Sequence, residues 1–291
     1  AKGRRNIISF GGGAPSLPPP REVGEEIERQ CRTDPQRALG YTGTRGLPEV
    51  LEAIARDMKR RAGIDLDPSS EILLTDGATE AIMLALLTTV GEGDEVIIMD
   101  PTYLGYPEAI KLAGGRIVRL PVSVSEGFQP DVDRLRKLIT ERTKAIILLS
   151  PDNPTGRIID PKVAKGIVDV ACESDLWIIV DDTYNHIVYD GEHVWIAAIP
   201  GAKDRTIVCN SFSKTASIPG LRIGFAYGPA EAIDNMEKLK QYFTLCPGTL
   251  AQYVLIKFLE GDVKDSYLRN VVLPVYRRRR DVMGRCLEEY L

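Results

Sequence analysis

The lysine at position 214 stands in a setting that could give it a catalytic role. It ends the segment Ser-Phe-Ser-Lys (211–214), directly after a predicted strand and eight residues before Arg222. Burial or neighbouring positive charge lowers the pKa of a lysine amine, which can then form a Schiff base with a carbonyl compound. Ser211, Ser213 and the bidentate guanidinium of Arg222 could bind a phosphate beside it. A surface lysine without a catalytic role is the alternative interpretation.

A second candidate anion site follows another predicted strand. Gly77, Ala78 and Thr79 stand between the apolar run Ile72–Thr75 and a predicted helix. Glycine lets the backbone approach a ligand closely, and the first turn of a helix presents free N–H groups and the positive end of the helix dipole. The segment therefore predicts phosphate binding. The alternative is that the glycine serves only the geometry of the turn.

A carboxylate, an amide and two tyrosines could bind an aromatic ring. Asp181 follows the apolar run Trp177–Val180, so its carboxylate is expected at the end of a buried strand, where an unpaired charge is costly. A cationic heterocycle would compensate it, because a carboxylate keeps a ring nitrogen protonated and strengthens the electron withdrawal of the ring. Asn153 and Tyr184 could donate to a phenolate oxygen on that ring, and Tyr103 could stack on it. The alternatives are an aspartate cap and a tyrosine packed in the core.

These side chains require a fold that brings distant strand ends together. Short β-branched runs alternate with longer helical stretches, which predicts a three-layer α/β sandwich around a mostly parallel seven-stranded sheet. Such sheets bind ligands at the carboxyl ends of their strands, where these polar residues stand. The predicted strands are Ile72–Thr75, Glu95–Met99, Arg116–Leu120, Ala145–Leu149, Trp177–Val180, Thr206–Asn210 and Arg222–Ala226. The predicted helices are Thr79–Val90, Tyr106–Ala113, Val132–Thr140, Pro161–Ser174, Ala230–Tyr242, Thr249–Leu259 and a long final segment.

Composition limits the class of protein. The 291 residues carry 37 Lys+Arg and 41 Asp+Glu, and 44% are hydrophobic, as in ordinary globular proteins. Five scattered cysteines without a C-x-x-C pair predict a cytoplasmic protein, and two histidines predict no metal site. Mild acidity argues against a nucleic-acid partner, and the basic run Arg277–Arg280 predicts a solvated helix face. We expect no membrane span, because no apolar run approaches about 20 residues, and no signal peptide.

Taken together, the motifs resemble those of the class I and II aminotransferases, which are fold-type I pyridoxal-phosphate enzymes. Order and spacing are similar from about residue 7 to about residue 260. The matching segments are Pro-Thr-Tyr (101–103), Ser-Pro-Asp-Asn-Pro-Thr-Gly (150–156), Asp-Asp-Thr-Tyr (181–184) and Ser-Phe-Ser-Lys (211–214) with Arg222. We also expect a cis Asn153–Pro154 peptide bond, since X–Pro bonds reach the cis form at little cost.

The resemblance implies a role for each candidate residue. Lys214 forms the Schiff base with pyridoxal phosphate and moves the substrate proton, Asp181 pairs with the ring nitrogen, and Tyr103 stacks on the ring. Asn153 and Tyr184 contact the ring oxygen. The implied phosphate ligands are Gly77, Ala78, Thr79, Ser211, Ser213, Arg222 and, from the other subunit of a homodimer, Tyr41. The implied substrate contacts are Asn153 and the backbone of Gly13, which meets the substrate carboxylate.

Three parts are expected along the chain. Residues 1–40 form an N-terminal arm with one short helix, and residues 41–260 form the large cofactor-binding α/β domain. Residues 261–291 form a helix that leads into a smaller C-terminal domain, which is absent or truncated. The resemblance implies that this smaller domain carries an arginine for the substrate α-carboxylate. No segment of this sequence matches the surroundings of that arginine.

Three functions remain open at this point. The resemblance implies transfer of an amino group between an L-amino acid and a 2-oxo acid. A C–S β-lyase or a related pyridoxal-phosphate enzyme is the alternative within the same fold, because it uses the same first steps. The effector-binding domain of a transcription regulator is a non-enzymatic alternative. Such regulators carry a preceding helix-turn-helix, for which the arm before Tyr41 leaves no room.

Overall fold

Residues 11–290 are described in a computed structural model. Seven strands form one sheet with helices on both faces, which confirms the predicted three-layer fold. The strands are β1 Ile72–Thr75, β2 Glu95–Asp100, β3 Arg116–Pro121, β4 Thr143–Leu149, β5 Trp177–Asp181, β6 Thr206–Ser211 and β7 Gly224–Tyr227. The helices are α1 Arg21–Thr33, α2 Pro35–Ala38, α3 Pro48–Ala62, α4 Ala78–Thr89, α5 Gly105–Leu112, α6 Val132–Leu138, α7 Pro161–Glu173, α8 Phe212–Thr215, α9 Ala230–Phe243, α10 Thr249–Leu259, α11 Val263–Tyr267 and α12 Leu273–Tyr290.

The sheet brings most strand ends to one edge. Its order is β1-β7-β6-β5-β4-β2-β3, and all neighbours are parallel except that β7 runs antiparallel to β1 and β6. Because β7 alone is reversed, β1 points the same way as the parallel strands. In register, Leu149 lies opposite Asp181, and Asp181 lies opposite Cys209. The residues that follow β1, β2, β4, β5 and β6 therefore meet at the carboxyl edge of the sheet.

The apolar runs of the sequence become strands that are buried on both faces. Along β4, Ile146 and Leu148 face the core that contains α3, α7 and α10. Their neighbours Ala145, Ile147 and Leu149 face the opposite core, which contains α4, α5 and α9. Side chains alternate across a strand, so a strand covered on both sides is apolar at every position.

The predicted strand Arg222–Ala226 is wrong at its start. The strand begins at Gly224, and Arg222 lies before it in the left-handed region with φ 49°. A Cβ atom on Gly224 would lie 2.4 Å from the backbone oxygen of Asn210, so the close pairing of β6 and β7 requires glycine there. The backbone turns at Arg222, whose guanidinium donates to the backbone oxygens of Pro219 and Asp76. The other predicted strands agree with the observed ones to within two residues.

The described part of the arm is more helical than predicted. Helix α1 has 13 residues and is followed by α2, where the sequence predicted one short helix. Its sequence is rich in charge, but Glu26 accepts hydrogen bonds from Arg29 and Gln30 along the same helix. Val23 is buried in the core, and α1 packs against α10. These side-chain contacts within the helix and its apolar packing against α10 stabilise α1. The Gly and Pro residues before the helix had suggested a mostly extended arm.

The final segment is helical, as predicted. A π-helical turn at Leu268–Val272 joins α11 to α12. The basic run 277–280 lies on α12 and is half-exposed, and both Arg277 and Arg280 pair with Asp190. No helix within residues 11–290 has the length and apolar character needed to cross a membrane. The predicted cis Asn153–Pro154 bond is present, as are cis bonds before Pro101 and Pro151.

Candidate active site

A cleft of about 350 Å³ opens at the carboxyl edge of the sheet. This volume lies within the usual range for small-molecule sites. Eleven of the thirteen predicted site residues line it, although they come from segments far apart in the sequence. They are Gly13, Ala78, Thr79, Tyr103, Asn153, Asp181, Tyr184, Ser211, Ser213, Lys214 and Arg222.

One end of the cleft brings together groups that could bind an anion. Gly77 caps α4 with φ 88°, and a Cβ atom there would lie 2.8 Å from Nη2 of Arg222. Glycine therefore allows the arginine to lie against the turn. The backbone N–H groups of Ala78 and Thr79, in the first turn of α4, have no acceptor within their own helix. Together with the Arg222 guanidinium they form a cradle that could hold a phosphate group.

Two serines line the same end. Ser211 ends β6 and caps the short helix α8, and its Oγ accepts from the backbone N–H of Ser213 at 3.1 Å. The Ser211 hydroxyl also donates to Oγ of Ser213 at 2.9 Å. Both residues are buried. Their hydroxyls are therefore fixed beside the Arg222 cradle and present further hydrogen-bonding groups to an anion.

Lys214 enters the cleft from α8. Its Nζ donates to the backbone oxygen of Gly13, at 2.7 Å. Burial lowers the pKa of the lysine amine, and the positive charge of Arg222 lowers it further. A larger fraction of the amine is therefore uncharged near neutral pH than for an ordinary lysine. An uncharged amine is the form that attacks a carbonyl carbon and accepts a proton.

Asp181 carries a buried carboxylate at the end of β5. Hydrogen bonds hold both oxygens of its side chain. Oδ1 accepts from the backbone N–H of Thr183 at 3.0 Å, and Oδ2 accepts from the hydroxyl of Tyr106 at 2.9 Å. Burial raises the pKa of Asp181 despite these two hydrogen bonds. The aspartate thus caps the following turn and also lines the cleft. A positively charged ligand group would compensate the negative charge of this buried carboxylate.

Asn153 and Tyr184 line the same cleft. Burial raises the pKa of the Tyr184 hydroxyl. The turn around Asn153 is held by the buried Arg157, which donates to the backbone oxygen of Leu149 at 3.0 Å, and by Asp152, which accepts from Thr155 Oγ1 at 2.6 Å. This buried support fixes the asparagine where it can donate to a ligand oxygen.

The predicted stacking residue lies beside a residue that sequence reasoning missed. The rings of Tyr103 and Tyr106 meet edge to face, with centroids 5.4 Å apart. Tyr106 is 1% exposed, and burial and the charge of Asp181 raise its pKa well above the usual value, so its hydroxyl remains a donor. Tyr106 lies almost one helical turn after Tyr103, a spacing that could have indicated a second aromatic residue under the site.

Two predicted residues do not line the cleft. Gly77 lies directly behind Arg222, as described above. Tyr41 is 86% exposed and lies outside the cleft. Its neighbours are fixed to α10, since Thr249 Oγ1 donates to the backbone oxygen of Gly40 and Gln252 Nε2 donates to Thr42 Oγ1. The tyrosine therefore projects from an ordered segment and does not pack in the core of its own subunit.

The arrangement fits a phosphorylated aromatic heterocycle. A group of anion-binding donors, an amine of lowered pKa and a buried carboxylate line a single cleft, together with tyrosine and asparagine side chains. A ring with a protonated nitrogen would neutralise Asp181, and a carbonyl on the same ring could react with Lys214. Such a group would act as an electron sink for a substrate bound to it.

Comparisons with known proteins support this interpretation of the cleft. The family model described as aminotransferase class I and II matches residues 5–284. An aspartate aminotransferase of Pyrococcus abyssi is 37% identical over 291 residues, which cover 99% of this chain and 74% of that protein. An aromatic-amino-acid aminotransferase of Thermococcus litoralis is 35% identical, with 99% and 74% covered. The solved structure of an aromatic aminotransferase from Pyrococcus horikoshii superposes with a TM-score of 0.93 at 35% identity, covering 97% of this chain and 75% of that one.

Proposed function

Since this chain belongs to the class I and II aminotransferase family and is a pyridoxal-phosphate-dependent transaminase, we propose that its reaction takes place in the cleft around Lys214. The enzyme moves an amino group between an amino acid and a 2-oxo acid. The observation that supports this location is that one cleft holds an amine of lowered pKa, an anion cradle and a buried carboxylate. The aminotransferase names of the relatives favour transamination over the C–S β-lyase alternative.

Lys214 and Asp181 perform the central steps in this proposal. When bound, pyridoxal phosphate supplies an electron sink that makes the substrate Cα–H acidic. Lys214 would hold the cofactor covalently, and its Nζ would accept and pass on the proton of the substrate Cα. The carboxylate of Asp181 would keep the ring nitrogen protonated, and Tyr103 would stack on the ring.

Other residues hold the cofactor and substrate in place. Asn153 and Tyr184 contact the ring oxygen, and Asn153 also faces the substrate. The backbone of Gly13 meets the substrate carboxylate, a position supported by its contact with Lys214 Nζ. The proposed phosphate ligands within one subunit are Gly77, Ala78, Thr79, Ser211, Ser213 and Arg222.

An amino-donor screen tests the proposed function. The names of the relatives make L-aspartate and the aromatic L-amino acids the first donors to try, with 2-oxoglutarate and pyruvate as acceptors. We expect a 2-oxo acid to form from the donor only when an acceptor is present. Release of pyruvate and a thiol from a sulfur-containing amino acid, without added acceptor, would instead support the C–S β-lyase.

Removal of the Tyr106 hydroxyl is expected to weaken cofactor binding. Tyr106→Phe leaves Asp181 with one hydrogen bond fewer, so the pKa of the carboxyl rises further and its charged form becomes less favourable. A hydrogen bond to a charged group contributes about 1.5–3 kcal/mol, so the dissociation constant of pyridoxal phosphate should rise about 10- to 100-fold. Titration of the cofactor-free protein measures this effect. An unchanged constant would show that Tyr106 does not support Asp181.

We also propose a homodimer in which Tyr41 reaches the phosphate held by Arg222 of the other subunit. The exposed position of Tyr41 on an ordered segment supports this arrangement. Two copies related by a two-fold axis would then complete each other's sites.

Mixing two impaired variants tests the shared site. Tyr41→Phe and Lys214→Ala are combined under conditions that allow subunits to exchange. Each hybrid dimer then contains one site with both native residues and one with neither. At limiting cofactor, activity should exceed the average of the two parents. Activity that equals this average, or a monomer in sedimentation at micromolar concentration, would rule out the shared site.

The compartment and the division of the chain are proposals as well. All five cysteines are free thiols, which supports a cytoplasmic protein. All seven strands lie between residues 72 and 227, which supports a large cofactor-binding domain at 41–260, after an arm at 1–40. Residues 261–291 would then lead into a smaller C-terminal domain.

A further inference from the structure

An ion cluster around the buried Lys240 lies next to the Gly77 turn and joins the start of α4 to the end of α9. It consists of Asp76, Glu80, Lys240 and Thr244 and is called the α4–α9 cluster below. The Lys240 side chain has 0% exposure, and the Glu80 side chain has 12%. A lysine is rarely buried completely unless its ammonium group is paired. None of these four residues lines the cleft.

The ammonium group of Lys240 fixes the carboxylate of Glu80. Lys240 Nζ donates to Glu80 Oε2 at 2.7 Å and to Thr244 Oγ1 at 2.6 Å. The Thr244 hydroxyl in turn donates to Glu80 Oε1 at 2.6 Å. Both oxygens of the glutamate are therefore held by groups from α9 and the residue after it.

The same carboxylate holds the turn that cradles the phosphate. Glu80 Oε2 accepts from the backbone N–H of Asp76 at 2.7 Å. The backbone oxygen of Asp76 accepts from Arg222 Nη2 at 3.2 Å. The residue before Gly77 is thus held on one side by the cluster and on the other by the arginine of the cradle. Movement of Glu80 would be transmitted to Gly77 through a single residue.

The cluster also sets the charge beside the cradle. Asp76 and Glu80 are two carboxylates, and Lys240 Nζ lies 2.7 Å from Glu80 and 3.9 Å from Asp76. Carboxylates near an anion site repel a phosphate, and this repulsion is poorly screened where groups are buried. The ammonium group offsets one of the two negative charges.

We propose that Lys240 is a positioning residue for the cofactor phosphate, which it serves by fixing the Gly77 turn through Glu80 and by offsetting the carboxylate charge beside that turn. This inference rests on the proposed function, because it takes the Gly77–Arg222 cradle as the phosphate site. In this proposal Lys240 supports cofactor binding without taking part in the reaction itself.

Titrations with two ligands test this proposal. The cofactor-free protein is titrated with pyridoxal phosphate and, separately, with pyridoxal, which lacks the phosphate. Lys240→Met is expected to raise the dissociation constant of pyridoxal phosphate about 10- to 100-fold, the effect of losing one hydrogen bond to a charged group. The constant for pyridoxal should change less than threefold. A role limited to the stability of the fold would weaken both ligands equally.

Three further variants complete the test. Lys238→Met makes the same change at an exposed position of α9, where Lys238 contacts Asn235, and should alter neither constant. Glu80→Gln/Lys240→Met removes the charge of Glu80 together with that of Lys240, and the amide oxygen can still accept from the backbone N–H of Asp76. This double variant should bind pyridoxal phosphate more tightly than Lys240→Met does. If Lys240→Met does not fold, the double variant and Thr244→Val are measured in its place. Each should raise the dissociation constant of pyridoxal phosphate by up to tenfold and leave that of pyridoxal unchanged.

The outcomes separate this proposal from the proposed function. If the unmodified protein binds both ligands equally well, the phosphate cradle itself is wrong and the role of Lys240 falls with it. If the unmodified protein prefers pyridoxal phosphate and every variant keeps that preference, the role of Lys240 is overturned while the cradle stands. A double variant that binds pyridoxal phosphate more weakly than Lys240→Met does would show that Lys240 does not act through Glu80.

Discussion

Replacing Lys214 by alanine is expected to lower kcat/KM for transamination by at least about 10⁴-fold. The proposed site uses this amine both to bind the cofactor covalently and to move the substrate proton, and a general base alone contributes about 10²–10⁴-fold. Burial and Arg222 lower the pKa of the amine, and alanine offers no group that could replace it. Initial rates with the best donor and acceptor from the screen measure the effect.

Two controls make the Lys214 result specific. Lys214→Arg keeps the positive charge, but its guanidinium stays protonated and cannot act as a base, so it should be as inactive as Lys214→Ala. Lys165→Ala changes an exposed lysine that pairs with Asp169 on α7 and should retain full activity. A Lys214→Arg variant within tenfold of the unmodified enzyme would mean that only the charge matters.

Replacing Asp181 by asparagine is expected to weaken cofactor binding about 10²–10⁴-fold. Removing one partner of a buried ion pair costs about 3–5 kcal/mol, because the other charge is left buried without compensation. In the proposed site the remaining charge is that of the protonated ring nitrogen. Titration with pyridoxal phosphate measures this loss. The exposed Asp169→Asn serves as the control and should bind normally. An Asp181→Asn dissociation constant within threefold of the unmodified value would remove Asp181 from the site.

The same substitution should change the stability of the cofactor-free protein in the opposite direction. The pKa of Asp181 is raised above its ordinary value of 3.8 by burial. A carboxyl with a raised pKa in the folded state contributes stability below its ordinary pKa, and that contribution is lost as pH rises through the raised value. Asparagine does not titrate. The melting temperature of Asp181→Asn relative to the unmodified protein should therefore increase as pH rises from 4 to neutrality. A constant difference across this range would contradict the raised pKa.

The sequence was sufficient to predict the sheet and most of the cleft for a physical reason. Strands buried on both faces, such as β4, are apolar throughout, and the polar residues directly after them must lie at the ligand-binding edge. Lys214, Asp181 and Asn153 could therefore be found from their positions alone. Arg222 lies against the Gly77 turn, although its strand was predicted too early. The turn at Arg222 depends on the close approach of Gly224 to Asn210. These two residues are 14 positions apart in the chain, so no local sequence pattern predicts their contact.

The support beneath the site could not be predicted in the same way. Tyr106 resembles an ordinary aromatic residue of a helix in the sequence, and only tertiary packing places its hydroxyl on Asp181. Lys240 and Glu80 are 160 residues apart in the chain. In the sequence, each one resembles a solvent-exposed residue of a helix. Tertiary packing brings these charges together and buries them.

Reduction with borohydride followed by peptide mapping tests the central claim most directly. The claim is that Lys214 is the lysine that binds pyridoxal phosphate covalently. Borohydride makes that bond permanent, so the peptide that carries the pyridoxyl group identifies the residue. We predict a yellow protein in which the label is found on Lys214 and on no other lysine. Label on another lysine, or no label at saturating cofactor, would contradict the account.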